Sequence, residues 1–200
     1  HAVLEPYRAQ HPEVEVVFKD CFVGDMHDRL NSGGIDLVVG ILVPRKPGRT
    51  RTLLYEEPLR FVPPHHNSWS SDVIELDQVC EHPVLMPVDA CGLARMIEAL
   101  TAGRNVKVYP GRAMTYRVLA EWAELGIGGA MLPSRTVPPG QRFPVVQVEG
   151  ESVILQHEVV WERAQFRPHV IAAVEHFQHR VPALISGGAD LRSHATHMSR

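Results

Sequence analysis

The chain is poor in cysteine. Cys21, Cys80 and Cys91 are the only 3 in 200 residues, and no two stand in a CxxC spacing. Three scattered thiols make no disulfide framework; they fit a reduced cytoplasmic protein in which they are buried or idle. An excess of positive charge is also missing. Lys+Arg 20 against Asp+Glu 23 leaves a formal net charge of -3, so the chain offers no general basic surface to nucleic acid. No apolar run approaches the roughly 18 residues that a membrane span requires. The N-terminus shows no signal-peptide pattern, and it opens on His1 rather than Met. HExxH, GxSxG and P-loop signatures are absent, and the 12 histidines are dispersed. His65-His66 fall in a Pro-flanked loop, His169, His176 and His179 on the last helix, and His194 and His197 in a polar tail. No metal, no cofactor and no enzymatic activity are therefore expected.

What is present is an ordinary globular balance, 44% hydrophobic and 22% charged, enough for one or two cored units. The most informative stretch is Leu30–Gly40, where an amphipathic helix stops at Gly33-Gly34 and turns into Ile35-Asp36-Leu37-Val38-Val39. Paired glycines after a helix supply the left-handed residue that ends it. The following run, apolar on both faces, predicts a strand buried in a parallel sheet. Asp36 sits just inside it, and a carboxylate there needs a partner; we read it as an anchor of the helix-strand corner.

The remaining segments alternate. A helix over Ala2–Gln10 precedes a strand over Val14–Phe18; a helix over Gly24–Ser32 precedes the strand just described. Leu53-Leu54-Tyr55 and Leu59-Arg60-Phe61-Val62 are extended and interrupted at Pro58, which places them at an edge or a crossing. A second half follows, with strand Val84–Met86, helix Gly92–Ala102, strand Val106–Tyr109, helix Ala113–Leu125 and strand Ile127–Leu132. Val118, Leu119, Trp122 and Leu125 make a stripe at helical spacing, read as core or dimer interface. Gly126-x-Gly128 lacks the order of a dinucleotide fingerprint. Strands over Phe143–Val148 and Glu158–Trp161 and a closing helix over Pro168–Val181 complete the chain before it turns polar. Two α/β halves joined by two crossings imply a cleft between them.

In order and spacing these segments resemble the effector-binding domain of LysR-type transcriptional regulators. His11-Pro12-Glu13-Val14-Glu15-Val16 is similar to the family's P-x-V-x-L strand entry. Leu30 to Val39 resembles its L-x-x-G-x-x-D-L-A-I segment, and Leu53 to Leu59 its L-x-x-E-x-L crossing. Leu119 to Pro133 resembles V-A-x-G-L-G-I-A-x-L-P, and Val159-Val160-Trp161 the L-V-W return. The resemblance covers roughly residues 2 to 182. It implies an α/β fold of two Rossmann-like subdomains joined by two extended crossings, of the type II periplasmic-binding-protein kind. Residues 1–57 with 161–185 would form subdomain I, residues 58–160 subdomain II, and 186–200 a polar tail. The family's first strand and its loop would precede His1, so the chain is expected to lack them. A strand edge would then stand open.

The same resemblance implies a small-molecule effector, such as a small organic acid, in the cleft, and a homodimer or tetramer built on Gly24–Ser32 and Ala113–Leu125. DNA would be bound only through an N-terminal winged helix-turn-helix that this chain does not contain. Effector contacts are expected in the segment after Val39, in Met86–Cys91 and in Pro110–Thr115, with Asp89, Cys91, Arg112, Met114 and Thr115 as candidates. A helix beginning near Ala113 would present free N–H groups, and Arg112 or Thr115 would complete a carboxylate site; alternatively Thr115 only caps the helix and Arg112 faces water. Two other readings stand beside this one. An extracytoplasmic solute-binding protein has the same fold. A thiol-based redox sensor would use Cys91, because Val84–Arg95 resembles the reactive-cysteine segment of peroxide-sensing relatives, although no cysteine stands near Leu100 to resolve it.

Overall fold

Helix α1 (Leu4–Gln10) is held by one buried aromatic, Tyr7, whose hydroxyl donates to the His169 carbonyl at 2.9 Å. The computed structural model describes residues 2–41, 45–66, 69–89, 91–165 and 167–195. It divides into two units, residues 1–55 with 156–200, and residues 56–155. Among the described residues no helix is long and apolar enough to cross a membrane.

In unit 1, α2 (Val23–Asn31) turns Val23, Met26 and Leu30 inward against Val38 and Val160. The paired glycines end it as their sequence implies. Gly33 takes φ 70, and the Ile35 N–H reaches back to the Arg29 carbonyl at 3.2 Å. Asp36 then pairs with Arg167 at 2.8 Å, which ties the corner to the approach of the last helix.

The strand beyond that corner departs from its sequence reading. β1 (Val38–Ile41) is shorter than expected and runs antiparallel to β9 (Ile154–Glu162), with Val38 opposite Val160 and Gly40 opposite Glu158. Val38 is buried while Val39 is 50% exposed, so the run is covered on one face only. Residues 14–18, read as a strand, form no ladder, and Val17 and Phe18 are exposed. A pattern of β-branched residues makes a strand only where another edge supplies its hydrogen bonds, and among the described residues none does.

β2 (Arg49–Val62) begins in unit 1 and ends in unit 2, passing through Pro58; β9 makes the return. The buried carboxylate of Glu57 accepts from the Arg135 N–H at 2.8 Å and the Ser134 hydroxyl at 3.2 Å, which fixes β2 to the residues after β6 (Gly129–Pro133).

In unit 2, β6 runs antiparallel to β2, with Leu59 opposite Pro133, and parallel to β4 (Val84–Pro87). β4 is parallel in turn to β5 (Val108–Ala113), with Met86 opposite Arg112 and Pro87 opposite Ala113. A smaller group joins β3 (Val73–Glu75), β7 (Val145–Val148) and β8 (Glu151–Ser152), and β7 meets β2 at Arg60. The helices are α3 (Leu76–Cys80), α4 (Gly92–Thr101) and α5 (Tyr116–Glu124). Leu119, Ala120 and Ala123 of α5 pack on Val62, Leu85, Ala130 and Leu132. Of the predicted stripe, Leu119 is core, Val118 and Trp122 are partly buried against it, and Leu125 is 70% exposed.

The glycine-rich turn after α5 is dictated by crowding. Gly126, at φ +77, lies under the His65 ring; a Cβ on Gly128 would overlap the Pro83 carbonyl, and one on Gly129 the Phe61 ring. These glycines allow a strand to run close beneath its neighbours, which accounts for the motif without a nucleotide.

The last helix, α6 (Pro168–Ala195), starts at its proline as expected but does not stop at Val181. It continues past Pro182, so the expected polar tail is helical as far as Ala195, and residues 196–200 lie outside the described residues.

Candidate functional site

The candidates Asp89, Cys91, Arg112, Met114 and Thr115 all fall in unit 2, where two parallel strands hand over to two helices, while the segment after Val39 belongs to unit 1. β4 leads through Val88 and Asp89 to α4, and β5 leads through Met114 and Thr115 to α5. Because β4 and β5 are parallel neighbours, both helices begin at the same edge of the sheet. That edge is where the ends of parallel strands and the unpaired N–H groups of helix first turns converge. The loops are stitched together by the Val88 N–H donating to the Ala113 carbonyl at 3.0 Å and the Cys91 N–H donating to Val88 at 2.9 Å.

Arg112 and Asp89 meet across these loops. Arg112 Nε donates to Asp89 Oδ1 at 2.7 Å and Nη1 to the Tyr109 carbonyl at 3.2 Å, with the arginine side chain 33% and the aspartate 74% exposed. Arg112 therefore has a partner, and it lies within β5 rather than in a loop. Helix α5 begins at Tyr116, three residues later than its periodicity suggested, because Ala113 is taken into the ladder opposite Pro87 and is buried. Thr115 is the cap: its hydroxyl accepts from the Val118 N–H at 3.3 Å. Met114, between strand and cap, is 68% exposed.

Cys91 is the N-cap residue of α4, and its Sγ lies 3.5 Å from the hydroxyl of Tyr116, the first residue of α5. Tyr116 escaped the sequence reading. The available signal was its position directly after the capping threonine, which the misplaced helix start concealed. Cys80 sits apart on α3; burial pushes its thiol pKa up, Arg104 draws it down and Asp77 adds slightly to the rise. Cys21, Cys80 and Cys91 are all free thiols. Of the other expected contacts, Ala90 and residues 42–44 after β1 lie outside the described residues.

Chemically, this edge offers two helix N-termini, a guanidinium, two hydroxyls, a thiol and one apolar side chain. Such a set suits a small anion with a short apolar part. Asp89 is the one group opposed to an anion, and it competes for Arg112.

Two α/β units linked by two chain crossings, with helices opening at the ends of parallel strands, define the periplasmic-binding-protein-like type II class of binding domain. The chain belongs to the LysR substrate binding domain family, whose model matches residues 1–182. Among solved structures, a cysteine mutant of OxyR from Corynebacterium glutamicum is 18% identical with a TM-score of 0.73, covering 94% of this chain and 62% of that one. The CcmR regulatory domain of Synechocystis PCC6803, in complex with 2-PG, is 13% identical with a TM-score of 0.74, covering 90% of this chain and 89% of that one. Full-length CbnR, complexed with its target DNA, is 16% identical with a TM-score of 0.72, covering 90% of this chain and 65% of that one. The chain thus spans about three fifths of the length of the OxyR chain and nearly all of the isolated regulatory domain. No curated protein matches it.

Proposed function

We propose that the chain is the effector-sensing regulatory domain of a LysR-type transcriptional regulator. It binds a small organic anion at the β4 and β5 ends of unit 2 and acts without catalysis. The observation that carries this reading is the family match over residues 1–182; the site we propose within it is built from Asp89, Cys91, Arg112, Met114, Thr115 and Tyr116. Two relatives supply context: the CcmR regulatory domain is seen with 2-PG and full-length CbnR with its target DNA. For this protein we place DNA binding in a winged helix-turn-helix of the same polypeptide, in a cytoplasmic homodimer or tetramer. Its output is a shift between states that bind effector with different affinity.

The family match disfavours a solute-binding protein, and a redox sensor lacks a second thiol facing Cys91 among the described contacts. The deciding experiment is a thermal-shift screen of small carboxylates, aromatic acids and phosphorylated acids on the 200-residue chain. A hit that is lost in Arg112→Ala supports the reading. No hit across the panel, or a hit indifferent to Arg112, overturns the site. Peroxide-induced loss of the Cys91 thiol, with a matching change in DNA affinity of the full-length regulator, would favour the redox alternative.

A further inference from the structure

Unit 1 holds one polar cluster that effector sensing does not use. Arg49 of β2 is only 1% exposed at its side chain and is enclosed by acceptors. Its Nε donates to Glu162 Oε1 at 2.6 Å, and its Nη2 donates to Asn31 Oδ1 at 3.0 Å and to the His27 carbonyl at 3.3 Å. Its Nη1 meets Nδ1 of His27. A guanidinium has donors only and keeps its proton, so this last contact forms only when His27 Nδ1 carries a lone pair and the ring proton is on Nε2. A second proton on the ring removes the acceptor and puts two cations side by side. Buried Arg49 cannot turn to water in exchange.

Arg49 from β2 meets the ring and Glu162 from β9 meets Arg49, while Asp28 is next in sequence on α2 and Asp25 two residues before. Glu162 would favour a charged imidazole, but it is already engaged by Arg49 Nε. His27 itself is only half-buried, so protons reach it. We propose that His27 and Arg49 form a proton-sensitive latch that holds α2 to β2 and β9, closed when His27 is neutral and released in mild acid. The apolar side of α2, Val23, Met26 and Leu30 on Val38 and Val160, is untouched by the proton. Release is therefore a local opening of the α2 polar side. It would make the position of the α2-to-β1 corner depend on pH independently of any effector.

The test is hydrogen exchange of residues 23–32 in the 200-residue chain at pH 6.5 and 5.5, corrected for intrinsic rates, beside His27→Gln, which keeps an acceptor but does not protonate. The expected result is a rise of up to about tenfold in α2 opening over that one pH unit in the native chain, and none in the variant. Equal α2 protection at both pH values, or the same rise in His27→Gln, overturns the latch. Should the variant not fold, nitrogen NMR of the native histidines decides. A neutral His27 with Nδ1 unprotonated at pH 7.5 supports the proposal, and a doubly protonated ring at that pH refutes it.

Discussion

Arg112 and Asp89 illustrate how one pair sets the sign of a site. The guanidinium is the strongest anion ligand at this edge of unit 2, yet Asp89 already takes its Nε. If an anionic effector binds here, removal of the two partners must act in opposite directions. Arg112→Ala deletes a charge-assisted hydrogen bond of about 1.5–3 kcal/mol, so affinity by calorimetry falls roughly ten- to a hundredfold. Asp89→Asn removes the competing carboxylate and raises affinity. Equal losses in both would mean that the pair only stiffens the loops. Tyr7 allows a different test. Burial, and secondarily Glu13, raise its phenol above the ordinary value, so the fold favours the neutral form. That contribution is fully present below about pH 10 and is lost as pH rises beyond it. Tyr7→Phe loses the hydrogen bond to His169, costing about 1 kcal/mol at neutral pH, and removes the share of Tyr7 in the alkaline loss of stability in a urea-denaturation series. Thiol chemistry follows the same logic: with its pKa raised by burial, Cys80 should alkylate with iodoacetamide at pH 7.5 more slowly in the native than in the urea-unfolded chain. At this scale Asp89, Arg112 and Thr115 drew attention by their residue types, and the structure pairs the first two and makes the third a helix cap. Tyr116 was hidden, because its one local signal, the place after the capping threonine, was masked by the misplaced helix start, and its approach to a thiol 25 residues away is tertiary.

Helix α5 shows what periodicity does and does not settle. The stripe of Leu119 and Trp122 fixed the helix and its inner face, and both pack on the unit 2 core. Its start was misplaced because Pro110 to Ala113 answers to a neighbour: Arg112 and Ala113 are drawn into register with Met86 and Pro87. Cross-strand register is a tertiary choice that no local pattern contains. The Thr115 cap then decides where the helix begins, and Thr115→Ala should cost about 1 kcal/mol by denaturant midpoint with an unchanged slope. β1 and residues 14–18 show the converse. Their β-branched pattern was clear, yet pairing depends on which edge is beside them, so the expected buried parallel strand became an antiparallel one with Val39 exposed.

At the scale of the molecule, the order of segments carried more information than any one of them. The repeat of helix, glycine and strand at Leu30–Gly40 and Leu125–Pro133 marked a chain of two α/β halves. The structure shows the second glycine cluster to be a packing requirement beneath His65, Pro83 and Phe61. The residues proposed to hold an effector sit, by contrast, in one unit, at the ends of β4 and β5 and the turns that follow them, and this sets the final prediction. A ligand present at about 100 times its dissociation constant adds roughly 2.7 kcal/mol to the state that binds it. For a chain of this size that corresponds to a rise in Tm of about 5–11 °C. The protection should not be uniform. If β4 and β5 present the site, hydrogen exchange should slow first in residues 88–89, 91–94 and 112–119, which include the N–H groups of Val88 and Cys91 that stitch the loops. Residues 76–80 of α3 belong to the same unit but lie outside those loops, and they should change less. Protection spread evenly over unit 2 would mean that the ligand is held elsewhere and merely stabilises the fold. A gradient centred on Cys91 and Thr115 would mean that the two helix N-termini hold it.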